Sequence, residues 1–148
     1  MCDYSLMSIP NRLAVAGEEL VTHRFQSGSL GLAAPEDRPK GFWAALKRSL
    51  NPPVTPAVCI PPGARLMLQD ISPEMQRSKG LRPCEEVTFT QITALDNNYR
   101  DAVRFCTGEE VRLQELRDGM RVRVLDLCGG ENFVPSWDER LEFHPPLR

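Results

Sequence analysis

Cys2 carries more potential chemistry than any other residue of the chain. A Met followed by a residue this small is normally trimmed, so the mature protein is expected to begin with a cysteine. Such a residue holds an α-amine and a thiol together, the minimal equipment of an N-terminal nucleophile, because the amine can act as base for its own thiol. The amine titrates near pH 8, roughly where it can take the thiol proton. The reaction class would be amide hydrolysis or amide transfer. An oxyanion would then need donors such as Asn11, Asn97, Asn98 or backbone amides. Against this, Asp3 sets a negative charge beside the thiol and disfavours the thiolate.

A second group of residues offers recognition. Phe42, Trp43, Leu46 and Leu50 recur at helical spacing within Gly41-Phe-Trp-Ala-Ala-Leu-Lys-Arg-Ser-Leu50. They fall near one face of a short amphipathic helix, with Lys47 and Arg48 near its C-terminus, where cations suit the dipole. Prolines 35, 39, 52, 53 and 56 flank the segment. Asn51-Pro52-Pro53 stops the helix. Two readings follow: a helix packed over one end of the core, or a docking helix for a protein partner.

Other constellations are weaker. His23 and His144 are the only histidines, and no spacing joins them to Cys2, Cys59 or Cys84 as metal ligands. No metal and no cofactor are expected. Phosphate-binding, dinucleotide-binding, nucleophile-elbow and metalloprotease motifs do not occur. Arg104, Arg112, Arg121 and Arg123 alternate with apolar residues, but Glu109, Glu110, Glu115, Asp118 and Asp126 lie among them. That pattern predicts a solvated face with cross-strand ion pairs rather than a nucleic-acid surface.

The elements that must position these residues are mostly strands. The 148 residues suit one domain with its own core. Hydrophobic residues make up 41% and charged residues 26%, ordinary for a globular chain. A net charge of −2 supplies no global field for nucleic acid or an anionic membrane. The opening residues lack a basic region followed by an apolar one, and no apolar run approaches a membrane span. A cytoplasmic protein is expected. Five scattered cysteines without a C-x-x-C pair predict reduced thiols.

Strands are predicted at Glu18–Phe25, Leu30–Ala34, Ala57–Ile60, Ala64–Ile71 and Glu85–Ile92. Ser72, Pro73 and Gly80 frame a second short helix as N-cap, first residue and stop. Tyr99–Cys106, Val111–Leu116 and Met120–Leu127, joined by turns at Gly108 and Asp118-Gly119, predict an antiparallel meander. The expected fold is all-β: a small antiparallel barrel or sandwich with a C-terminal meander and one short peripheral amphipathic helix. Residues 1–130 form the domain, with the proline-flanked helix at 35–56. Residues 131–148, carrying Phe133, Trp137 and Phe143, form a tail that is docked or partly disordered.

The opening Met-Cys-Asp-Tyr-Ser-Leu, then Gly17-Glu18 before Leu20-Val21-Thr22 and Arg24-Phe25, resembles a group of short uncharacterised bacterial proteins. The similarity continues at Ala57-Val58-Cys59, Asp101-Ala-Val-Arg-Phe105 and Val124-Leu-Asp-Leu127. It implies a bacterial, cytoplasmic protein and no mechanism. The Met-Cys start is also shared with class II glutamine amidotransferases, but those continue with Gly where this chain has Asp3. The expected function is therefore a non-catalytic binding or accessory module, alone or as one subunit of a larger assembly. It would meet a protein partner through the 41–50 helix or the C-terminal tail, with no nucleic acid and no membrane. The alternative is an N-terminal cysteine hydrolase or amidotransferase that uses Cys2.

Overall fold

A computed structural model describes residues 9–36, 39–52, 54–92 and 99–127. The chain is mostly sheet. Nine strands appear among the described residues: β1 (Asn11–Leu13), β2 (Glu19–Arg24), β3 (Leu30–Ala33), β4 (Ala57–Cys59), β5 (Arg65–Leu68), β6 (Glu85–Gln91), β7 (Asp101–Phe105), β8 (Glu110–Arg112) and β9 (Arg121–Asp126). Two short helices join them, α1 (Phe42–Leu50) and α2 (Pro73–Lys79). Seven strands form one antiparallel sheet in the order β3-β2-β9-β5-β6-β7-β8, and β1 pairs parallel with β4.

Period-2 alternation builds the core. Leu20, Leu30, Leu66, Leu68, Val87, Phe89, Val103, Val122 and Val124 are buried in one cluster. The intervening residues are charged and pair across strands: Arg123 with Glu19 (2.6 Å), Arg104 with Glu110 (2.8 Å) and Arg65 with Glu86 (3.2 Å). The expected face of paired charges is therefore present.

The strands do not close a barrel by pairing; β3 and β8 are the edges of the sheet. Those edges approach through one side chain. Gln114, in a 3-10 turn over Leu113–Glu115, donates to the Leu30 carbonyl and accepts from the Leu30 amide, each at 2.8 Å.

The expected C-terminal meander does not form. β7 and β8 pair as predicted, but β8 ends at Arg112 and β9 inserts between β2 and β5. The Asp118-Gly119 turn is real, yet its bonds go to β2 rather than back to β8. Gly119 donates to the Thr22 carbonyl (2.8 Å), and Met120 donates to Thr22 Oγ1 (2.8 Å). Thr22 Oγ1 itself donates to the Arg117 carbonyl (2.6 Å). A buried hydroxyl thus holds the crossing segment against β2. All six side chains expected inside this region are buried nonetheless: Val103, Phe105, Val111, Leu113, Val122 and Val124.

α2 follows its signals. Ser72 Oγ accepts from the Met75 amide (3.3 Å), Pro73 opens the helix, and Gly80 ends it at φ 64°, a left-handed conformation that glycine adopts without a Cβ clash. The expectation of five reduced thiols is corrected. Cys59 of β4 is disulfide-bonded, while Cys84 and Cys106 are free. An odd, scattered set can still hold one pair. Disulfides are rare in a reducing cytosol, so the thiols no longer argue for a cytoplasmic location. No helix among the described residues is long and apolar enough to cross a membrane.

Candidate functional site

α1 starts without help from its own sequence. Gly41 is its N-cap at φ 95°, no side chain caps the free amides, and no acid lies in the first turn. Lys47 and Arg48 in the last turn complement the helix dipole. Nine residues are below the ~12–15 at which isolated helices become even marginal in water, so packing normally has to supply the difference. Here it does not: no residue of α1 is buried.

Its orientation explains this. On a 3.6-residue turn, Phe42, Trp43, Leu46 and Leu50 span an arc of roughly 100°, and Arg48 lies roughly opposite. Arg48 forms an ion pair with Glu36 on the preceding tether. Thr55 on the following tether donates to the same carboxylate (2.8 Å). Glu36 therefore fastens both tethers and the polar side of the helix. The apolar stripe is left outward, with Phe42 73%, Trp43 78%, Leu46 39% and Leu50 78% exposed. The Phe42 and Trp43 rings meet edge to face at 5.7 Å, which fixes their mutual geometry without covering them.

A cleft of about 460 Å³ lies at the foot of this arrangement. Ile9, Phe25 and Val54 give it apolar walls, and Arg24, Glu36 and Arg48 give it charge. His23 lines it as well, its ring edge-on to Phe25 at 4.8 Å. Exposed Val54 extends the apolar surface from the helix toward this cleft. Sequence reasoning found the stripe and missed the cleft. The signal was present in Glu36 and Thr55, two polar residues on opposite proline-rich tethers.

The other candidate residues are not brought together. Cys2 lies outside the described residues, as do His144, Asn97, Asn98 and the aromatic tail. Asn11, a candidate oxyanion donor, gives its amide to the Ile9 carbonyl (3.2 Å). No cluster of three or more metal-ligating side chains occurs among the described residues. Arg121 is held by Asp70 (2.7 Å), and Arg104 and Arg123 by Glu110 and Glu19. These partners neutralise much of the outer arginine face.

Set against protein-family models, curated proteins and solved structures, the chain matches none of them.

Proposed function

We propose that this chain is a non-catalytic binding or accessory module that docks a protein partner through α1. One observation carries the reading: a nine-residue amphipathic helix presents four large apolar side chains to solvent and buries none. Trp43, Leu46 and Leu50 stand at i, i+3 and i+7, the spacing with which a helix anchors in a groove. The sheet serves as the rigid body that carries the helix. A partner groove would supply the packing that α1 lacks in the free chain. The two cations of the helix, Lys47 and Arg48, are few for holding an anionic bilayer, so a protein groove is the better match.

The test compares the full chain with a Trp43→Ser/Leu46→Ser variant. Each carries a photo-crosslinker at position 50 and is irradiated in host-cell extract. The wild-type chain should give a discrete adduct that the variant loses while keeping its unfolding midpoint. The same adducts from both chains, or none from either, would overturn the proposal. Equal binding of the wild type to anionic vesicles would move the assignment from a protein to a membrane surface.

A further inference from the structure

Cys84 and Cys106 are the free thiols among the described residues, and both are exposed. They sit at the same end of one ladder. Cys84 immediately precedes β6, and Cys106 immediately follows β7. Val87 stands opposite Phe105 in that ladder. That pair is the last of the ladder, so Cys106 lies one residue past it and Cys84 three residues before it. Diagonal neighbours at the end of such a ladder stand about 7–8 Å apart between Cα atoms, slightly beyond the ~4.4–6.8 Å a disulfide spans.

Bridging the two thiols requires the turn that carries Cys106 to move toward Cys84. Cys106 belongs to the turn that links β7 to β8. Gly108 donates to the Phe105 carbonyl (2.9 Å) at φ 87°, and Cys106, Thr107 and Gly108 are all exposed. Cys106 also lines a cleft of about 350 Å³ together with Arg82, Glu86 and Arg104. A small oxidant can reach its thiol there. Arg82 is held by Glu85 (3.2 Å).

We propose that Cys84 and Cys106 form a modification site: a dithiol that a hydroperoxide converts to an intramolecular disulfide, pinning the β7–β8 turn to the segment before β6. Cys106 Sγ attacks the distal peroxide oxygen and the O–O bond breaks. The alcohol leaves with the Cys106 proton, and a sulfenic acid remains on Cys106. Cys84 Sγ then attacks Cys106 Sγ, the S–S bond forms, and hydroxide leaves with the Cys84 proton as water. Two thiols give up two electrons and the hydroperoxide accepts them. The site is separate from α1 and from the buried Cys59 disulfide.

The experiment treats the full chain with hydrogen peroxide, alkylates it unreduced in denaturant with iodoacetamide, and maps its peptides. A peptide linking Cys84 to Cys106 should appear at a rate independent of protein concentration and disappear with dithiothreitol. Cys84→Ser should trap Cys106 as a sulfenic acid that reacts with dimedone. Both thiols remaining separately alkylated, or linkage only between two chains, would overturn the proposal. So would independent oxidation of each thiol to sulfinic acid.

Discussion

In the sheet, every large apolar side chain that alternation points inward is buried; in α1, the four that helical spacing gathers on one face are exposed. Both segments obey their own periodicity. They differ in what lies opposite. Each strand of the large sheet finds neighbouring strands and a shared interior, whereas α1 is held by its polar side through Arg48 and Glu36. Burial is therefore decided by attachment as much as by pattern. A stripe turned outward by an ion pair is a surface, and the same stripe turned inward would have been core.

This difference can be broken at both ends. Phe89 is fully buried opposite Val103 in the centre of the sheet. Phe89→Ala should cost about 3–5 kcal/mol through lost burial and a cavity, read as a large drop in the urea midpoint. A loss as small as that of a surface substitution would show that the sheet interior is not packed as described. Thr22→Val comes next. It keeps the shape but leaves the Met120 amide and the Arg117 carbonyl without their hydroxyl, so it should cost about 1–3 kcal/mol. Hydrogen exchange should then speed up in the β8–β9 connection before it does elsewhere. Uniform acceleration would mean that the hydroxyl does not hold the crossing.

Acid should sharpen the comparison by a smaller amount. The hydrogen bond from Arg12 holds the Glu18 carboxyl below its ordinary range, and that from Arg121 does the same for Asp70. A carboxylate lowered in the folded state stabilises the protein above its unfolded pKa, and this contribution is lost as pH falls through the lowered value. Stability should therefore decline on acidification below the ordinary carboxylate range, and Glu18→Gln should flatten that decline. Exposed pairs contribute little, so the effect should be modest. Parallel pH profiles for wild type and variant would remove Glu18 from the account.

Features written locally were legible in the sequence. α2 could be read because Ser72, Pro73 and Gly80 each act within one turn. β2 and β6 could be read from their β-favouring residues, β3 from a short apolar stretch, and β7 from alternation before its turn. The helical stripe was equally plain, but its direction was not, because it depends on Arg48 meeting Glu36 twelve positions away. The meander failed for a similar reason. Asp118-Gly119 specifies a turn without specifying the partner, and β9 goes to β2 through contacts nearly a hundred residues apart. β1 was missed because Asn11, Arg12 and Leu13 are all exposed and show no alternation; pairing with β4 alone makes them a strand. The Cys59 disulfide was illegible because connectivity cannot be deduced from cysteine positions.

The most direct test is the urea unfolding midpoint of Trp43→Ala in the isolated full chain. With Trp43 outside any core, the variant should match wild type to within about 0.5 kcal/mol, as surface substitutions do. A loss of about 3 kcal/mol or more would mean that the Trp43 ring fills the protein's own core, and α1 would then be a structural element rather than a docking surface.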